Sequence, residues 1–122
     1  MTVFFYDSYA IIEYIKNNHH FVSYFEDHTG VLTMFNLVEI YYSVLSESTK
    51  EKADAVMDAL FPLMVDPSKE TIKEAMIFRL QHKKRKLSYA DCVGYQTAKE
   101  RKILFLTGDL QFKDLQNVMF VK

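Results

Sequence analysis

TVFFYDSYAII, residues 2–12, is an almost unbroken apolar and aromatic run with a single carboxylate, Asp7, at its centre. Its first part, VFFY, is a continuous apolar run of the kind that forms a strand buried on both faces of a parallel sheet. Four further runs share this character: GVLT at 30–33, LMV at 63–65, ILFL at 103–106 and VMFV at 118–121. Together they predict a mostly parallel sheet of four or five strands.

Segments with helical spacing lie between these runs. One of them places its apolar residues at i, i+3, i+4, i+7 and i+8, namely Ala53, Val56, Met57, Leu60 and Phe61. A second helix is expected to be capped by Asp66, with Pro67 in its first turn, and to continue to about Lys83. Its expected inward positions are Ile72, Ala75, Met76 and Leu80. Ser88 is expected to cap a third helix that ends near Lys102. The alternation predicts an α/β fold, a three-layer α/β/α sandwich with right-handed crossovers.

Length and composition indicate one globular domain over residues 1–122. Hydrophobic residues make up 49% and charged residues 25% of the chain, which is ordinary for a domain that buries one core. The single Cys92 excludes an intramolecular disulfide, and the N-terminus lacks the features of a signal peptide. No apolar run approaches the roughly 20 residues that cross a bilayer. We therefore expect a soluble, cytoplasmic protein that does not contact membranes.

Four acidic residues stand where such a sheet would place a ligand site, beyond the carboxyl ends of its strands. Asp7 and Asp109 each follow a predicted strand. Glu39 is the only charge in MFNLVEIYYSVL, residues 34–45, which predicts a buried helix because it is apolar nearly all round. Asp91 is the only charge in SYADCVGYQTA, residues 88–98. We expect the four carboxylates to converge on one crevice.

Each acid also has a purely structural interpretation. Asp7 could cap the helix that begins at Ser8. Asp91 could form a capping box with Ser88, and Asp109 could serve the turn that contains Gly108. A structural Glu39 would be a buried charge, which is costly unless it is paired. These alternatives stay open at the level of the single residue.

The set of four is more informative than any member. Carboxylates within a few ångströms repel one another and raise one another's pKa values unless a cation compensates them. Ligands that are all oxygen select Mg²⁺ or Mn²⁺ rather than zinc. A site of this kind suits the hydrolysis of phosphodiesters.

The stretches YDSYAII, NLVEIYYS, SYADCVGYQTA and LTGDLQF, in this order, resemble the four acidic motifs of PIN-domain ribonucleases and are most similar to the VapC-type toxins of toxin–antitoxin pairs. The resemblance covers essentially the whole chain. It implies a metal-dependent endoribonuclease that hydrolyses RNA, in single-stranded or loop regions, to a 5′-phosphate and a 3′-hydroxyl. The acids that it implies as catalytic ligands of Mg²⁺ or Mn²⁺ are Asp7, Glu39, Asp91 and Asp109.

The resemblance extends to smaller groups around these acids. Ser8 and Thr107 match positions that would orient the ligands or the substrate, although either could be a simple capping residue. Asn36 stands where many relatives have a hydroxyl, and we expect it to be tolerated because an amide also donates and accepts hydrogen bonds. Gln111 replaces a further acid of many members, so the binding of a second metal ion stays open. Asp114 lies near it in sequence.

Charge and family together suggest partners. The chain carries 16 acids and 15 Lys and Arg, so the surface outside the four proposed ligands is mildly basic. The densest basic run, Lys83, Lys84, Arg85 and Lys86, could contact RNA phosphates or could be a solvated helix terminus. The family resemblance implies a homodimer, with a surface at Tyr41 and Tyr42 available for the second subunit, and a small antitoxin that blocks the crevice.

Three other functions are compatible with parts of this pattern. A phosphoacceptor domain would need a Lys after a late strand, where this chain has Gly108 and Asp109. A PIN-like module that binds RNA or protein without catalysis is the main alternative, because Gln111 leaves room for it. A structure-specific DNA nuclease would need additional helices to guide DNA, for which 122 residues leave little space.

Overall fold

A four-stranded, all-parallel sheet forms the centre of the computed structural model, which describes residues 1–122. The strands are β1 (Val3–Tyr6), β2 (Thr29–Val31), β3 (Leu104–Thr107) and β4 (Val118–Phe120). Their order in the sheet is β2-β1-β3-β4, and each neighbouring pair is parallel. The predicted parallel sheet is confirmed with four strands, and β1 and β3 occupy its centre.

Six α-helices connect the strands. They are α1 (Ser8–Ile15), α2 (His19–Glu26), α3 (Met34–Glu47), α4 (Lys50–Leu60), α5 (Lys69–Gln81) and α6 (Tyr89–Arg101). Short 3-10 turns occur at Phe61–Leu63, Lys83–Arg85 and Leu110–Phe112. None of the helices has both the length and the apolar character required to span a bilayer.

Two apolar cores lie on opposite faces of the sheet, because successive side chains of a strand point to opposite sides. Phe4 and Tyr6 of β1 belong to the core formed with α1 to α4, whereas Phe5 belongs to the core formed with α5 and α6. Phe105 and Leu106 of β3 divide in the same way. The three-layer sandwich is therefore confirmed, and burial on both faces explains why β1 and the first three residues of β3 are apolar or aromatic.

The predicted strand LMV at residues 63–65 is wrong. Pro62 lies in a 3-10 turn that includes Leu63, and the segment forms no strand, only one isolated parallel bridge between Met64 and Leu32, just beyond the end of β2. Proline has no backbone N–H to donate to a strand ladder, which favours a turn here. The predicted starts of β2 and β3, at residues 30 and 103, each differ by one residue from the observed starts at Thr29 and Leu104.

The start and inner face of α5 differ from the prediction. Its cap is Ser68, whose Oγ accepts from the Thr71 backbone N at 3.1 Å, and not Asp66. Thr71 and Ala75 are the buried residues of this helix, whereas Ile72 and Leu80 are exposed. Met76 is partly buried against the same core, as predicted.

Helix α3 is not buried all round, contrary to the prediction. Leu37, Ile40 and Val44 enter the core, and the opposite face is apolar but exposed. That face includes Val38 at 65% and Tyr42 at 73% exposure. Glu39 lies at the border between these faces and is only half-buried.

Candidate functional site

The two central strands end side by side and bring Asp7 next to the segment of Asp109. Tyr6 is paired with Leu106 in the sheet, and the Asp7 backbone N donates to the Leu106 carbonyl at 3.1 Å. Asp7 occupies the N-cap position of α1, but its side chain makes no capping hydrogen bond. The interpretation of Asp7 as a simple cap is therefore wrong, and its carboxylate is available for another purpose.

Thr107 joins the first and last acids through one hydroxyl. Its Oγ1 donates to Asp7 Oδ2 at 2.7 Å and accepts from the Asp109 backbone N at 3.0 Å. Thr107 is fully buried, and Asp7 is 1% exposed. The other oxygen of Asp7, Oδ1, is buried without any hydrogen-bond partner. A buried carboxylate oxygen without a donor is costly, so this atom requires a functional explanation.

A second network holds Glu39. The Asn36 side-chain amide donates to Ser8 Oγ at 3.0 Å, and Ser8 Oγ donates to Glu39 Oε1 at 2.8 Å. Asn36 Oδ1 accepts from the Thr33 backbone N at 2.9 Å and thereby caps α3. Asn36 thus uses both ends of its amide, and Ser8 orients an acid instead of capping a helix.

Asp91 and Asp109 each cap a local turn with one carboxylate oxygen. Asp91 Oδ2 accepts from the Ser88 backbone N at 2.8 Å, while Ser88 Oγ accepts from the Asp91 backbone N at 3.0 Å. This is the capping box foreseen from the sequence. Asp109 Oδ1 accepts from the Gln111 backbone N at 2.9 Å. Both acids are half-buried, and the capping interpretation accounts for one oxygen of each.

The four carboxylates act on one another electrostatically. Burial raises the pKa of Asp7 well above its usual value, and the charges of Asp91, Asp109 and Glu39 raise it further, against the lowering effect of the Thr107 hydrogen bond. Burial, followed by Glu39 and Asp109, raises the pKa of Asp91 to about 6, although hydrogen bonds from Ser88 oppose this. Burial and mutual repulsion therefore favour the protonated forms of Asp7 and Asp91 when no cation is bound.

No set of three or more His, Cys, Asp or Glu side chains has the arrangement of a formed metal site. The chemistry of the acids nevertheless fits a cation. One oxygen of each acid accepts a hydrogen bond from the protein, at Asp7 Oδ2, Glu39 Oε1, Asp91 Oδ2 and Asp109 Oδ1. The second oxygen of each has no such bond, and at Asp7 it is also buried. The set therefore offers four oxygens to a hard divalent ion.

The basic run before α6 has two different parts. Arg85 is engaged within the protein: its Nη1 donates to the Gln111 carbonyl at 2.8 Å, and its guanidinium pairs with Asp114 at 2.9 and 3.1 Å. This ties the segment before Asp91 to the segment after Asp109. Asp114 is correspondingly ion-paired. Lys83, Lys84 and Lys86 are exposed.

A cavity of about 220 Å³ adjoins the acids and was not foreseen from the sequence. It is lined by Phe35, Val38, Glu39, Ser88, Tyr89 and Ala90. Tyr89 directly follows the helix cap Ser88 and is 59% exposed, but its position in the sequence did not indicate a cavity. The exposure of Phe35 was not expected either, because α3 was predicted to be buried.

Comparison with known proteins supports the fold and the family. Residues 4–118 match the family model described as the PIN domain. The fold is similar to a toxin–antitoxin complex from Klebsiella pneumoniae, at 11% identity and a TM-score of 0.74, over 98% of this chain and 96% of that one. It is also similar to VapBC2 from Rickettsia felis bound to a DNA fragment from its promoter, at 16% identity and 0.73, over 98% and 97% of the two chains. No curated protein matches the sequence significantly.

Proposed function

The chain belongs to the PIN domain family, and from that premise we propose that it is a Mg²⁺- or Mn²⁺-dependent endoribonuclease, the toxin of a toxin–antitoxin pair. PIN domains are generally nucleases, that is, hydrolases that act on nucleic acids. One observation carries the proposal for this chain. Each of the four acids has one oxygen held by the protein, and the other oxygen of Asp7, directly after β1, is buried without a partner.

In this proposal Asp7, Glu39, Asp91 and Asp109 hold the divalent ion. When bound, such an ion polarises the phosphodiester and lowers the pKa of an attacking water. The protein's own contribution is to fix the acids. Thr107 orients Asp7, and Ser8, supported by Asn36, orients Glu39. Groups that orient metal ligands in this way commonly change metal affinity or activity about 10- to 100-fold when they are replaced.

A cleavage assay with controlled metal tests the proposal. Single-stranded RNA should be cut in the presence of Mg²⁺ or Mn²⁺ and should stay intact in EDTA, and the products should carry 5′-phosphate and 3′-hydroxyl ends. Calorimetric titration with Mg²⁺ should show binding by the unmodified chain. RNA that is bound but stays uncut at saturating metal would instead support the alternative, a PIN-like binding module without catalysis.

The exposed lysines of the basic run are proposed to bind RNA phosphates. Replacing Lys83, Lys84 and Lys86 together by Gln should weaken RNA binding and reduce the slope of log Kd against log salt by about 2 to 3, because each phosphate contact on a single strand contributes about 0.7. Fluorescence anisotropy over a salt series measures the slope. Replacing the exposed Lys50, Lys52 and Lys69 by Gln removes the same charge elsewhere and should leave the slope nearly unchanged. An equal effect of both triple variants would argue against a local contact.

A small antitoxin is the proposed protein partner, and the cytoplasm is the proposed location. The two structural relatives support the partner, since one is described as a toxin–antitoxin complex and the other as VapBC2. The acid site is the surface that such a partner would have to cover in order to stop cleavage. Co-expression with the product of an adjacent short reading frame should relieve growth inhibition by this chain and should protect RNA in vitro.

We also propose a homodimer that uses the exposed apolar face of α3 and α4. A groove of about 400 Å³ there is lined only by hydrophobic side chains, with Tyr42, Leu45 and Phe61 among them. A large exposed apolar surface commonly marks an interface, and a symmetric pair is the commonest assembly. Sedimentation should give twice the chain mass of 14.4 kDa, and Tyr42→Glu should give the mass of one chain. A single-chain mass for the unmodified protein at micromolar concentration would refute the dimer.

A further inference from the structure

We propose that the cavity beside Glu39, between α3 and the start of α6, binds one unpaired nucleobase of the RNA strand, stacked on Tyr89. The inference deepens the proposed ribonuclease function and rests on it for the identity of the strand. It adds a base-binding subsite next to the acids.

The composition of the cavity suits a flat aromatic ligand. Its volume is about 220 Å³, and its walls come from Phe35 and Val38 on α3 and from Tyr89 and Ala90 on α6. Phe35 is 39% and Tyr89 is 59% exposed, so both rings present surface to an incoming group. Every base has an aromatic face, and stacking on protein aromatic residues tolerates changes of sequence.

The Tyr89 ring is held in place before any ligand binds. The Arg79 guanidinium carbon lies 4.4 Å from the centroid of this ring, and Arg79 Nε donates to the Leu87 carbonyl at 3.1 Å. Arg79 is therefore fixed by the backbone just before α6 and in turn supports the ring. A ring that is already ordered loses less conformational entropy when a base stacks on it.

The cavity adjoins the acid site through Glu39, and this contact favours a base of the RNA strand as its ligand. Glu39 lines the cavity and also receives the hydrogen bond from Ser8 that places it among the four acids. A nucleotide whose phosphate lies at the acids would therefore have a neighbouring base within reach of the cavity. The Ser88 hydroxyl also lies on the wall and can donate to a base edge. Exposed Lys86, two residues earlier, adds positive charge beside the strand.

The absence of tryptophan from the chain allows a direct test. In an Asp7→Asn background, in which cleavage is expected to be strongly reduced, Tyr89→Trp introduces a single tryptophan into the cavity. Addition of a short adenosine RNA oligomer in EDTA should quench its fluorescence, and the same oligomer made with abasic riboses should not. The control is Tyr42→Trp, a matched exchange on the α3–α4 groove, which neither RNA should quench. Equal quenching of Tyr89→Trp by base-containing and abasic RNA, or quenching by neither, would overturn the proposal.

Affinity provides the second measurement in the same background. Tyr89→Ala should weaken binding of the adenosine oligomer about tenfold, whereas Tyr89→Phe, which keeps the ring, should bind within about twofold of the parent. The loss should disappear with abasic RNA, because no base is then left to stack. If Tyr89→Ala binds the oligomer as tightly as Tyr89→Phe, the cavity does not bind a base and is better explained as a contact for a protein partner.

These readouts do not depend on catalysis. An unmodified chain that fails to cut RNA with Mg²⁺, while Tyr89→Trp is quenched by bases, would refute the nuclease and retain the base site. A chain that cuts RNA, while Tyr89 variants bind normally, would refute the base site alone. Failure of the Asp7→Asn protein to bind any RNA at micromolar concentration would also count against the base site.

Discussion

Asp7→Asn is expected to lower the rate of Mg²⁺-dependent RNA cleavage by about 100-fold or more while the protein stays folded. Charge stabilisation by a metal is worth several kcal/mol in the transition state, and about 1.36 kcal/mol corresponds to a factor of ten. Asparagine keeps the shape of the side chain and can still accept the Thr107 hydrogen bond that Asp7 Oδ2 accepts at 2.7 Å. It removes the anionic oxygen that the metal requires.

The same substitution should stabilise the metal-free protein, most clearly at neutral and higher pH. The pKa of Asp7 is raised in the folded state well above 3.8, by burial and by its three acidic neighbours. Below the unfolded-state pKa, Asp7 is protonated in both the folded and the unfolded state and does not lower the free energy of unfolding. As the pH rises towards the folded pKa, the unfolded state ionises first and stability is lost. Asp7→Asn removes this loss.

Two measurements check the Asp7 prediction. Single-turnover cleavage gives the rate, and thermal unfolding in EDTA from pH 4 to 8 gives the stability. The matched control is Asp58→Asn, since Asp58 is exposed on α4; it should change neither quantity. Full activity of Asp7→Asn would refute the proposed metal site. A lower melting temperature in EDTA at neutral pH would refute the explanation from buried, uncompensated charge.

Gly94→Val is expected to destabilise the fold by about 3 kcal/mol or more. Gly94 lies within α6 where that helix crosses the sheet, and a Cβ there would stand 2.6 Å from Phe5 Cε1 and 3.3 Å from Phe105 Cε1. Both rings are fully buried and stack on each other, with centroids 5.7 Å apart. Overpacking commonly costs about 1–3 kcal/mol and occasionally more, and the upper end is expected here because neither ring can move without disturbing the core.

The expected loss of stability on replacing Gly94 is the difference between two opposing effects. Replacing glycine inside a helix gains up to about 1 kcal/mol of helix propensity for alanine and less for valine. The clash at Phe5 exceeds this gain, so Gly94→Ala should also destabilise, by a smaller amount. Because α6 carries Asp91, any shift of the helix away from the sheet should also reduce activity. This couples the packing of the core to the site.

Urea unfolding measures the Gly94 effect. A suitable control is Glu74→Val on α5, which places the same β-branched side chain at an exposed helical position. It should change the free energy of unfolding by less than about 1 kcal/mol. A Gly94→Val protein as stable as the parent would show that the helix can retreat from the sheet at little cost.

Much of this architecture was predictable because it depends on local pattern. Continuous apolar runs are typical of strands that are buried on both faces, so β1, β3 and β4 could be recognised. Ser88 correctly predicted the start of α6. The run at 63–65 failed because its single bridge to the sheet depends on Leu32, about thirty residues away. The prediction that α3 is buried nearly all round was wrong for a related reason, since apolar composition does not show whether another element covers a helix face.

The sequence by itself determined which four acids follow strands or lie near the starts of helices, and from this it predicted that they share one edge of the sheet. Only the tertiary structure decided how each is held: Asp7 is bonded by Thr107 instead of capping α1, Glu39 depends on Ser8 and Asn36, and Arg85 pairs with Asp114. The physical reason is range. Strand and cap signals act over a few residues, whereas the Thr107–Asp7 hydrogen bond joins positions separated by 100 residues, and such pairs exist only after the chain has folded.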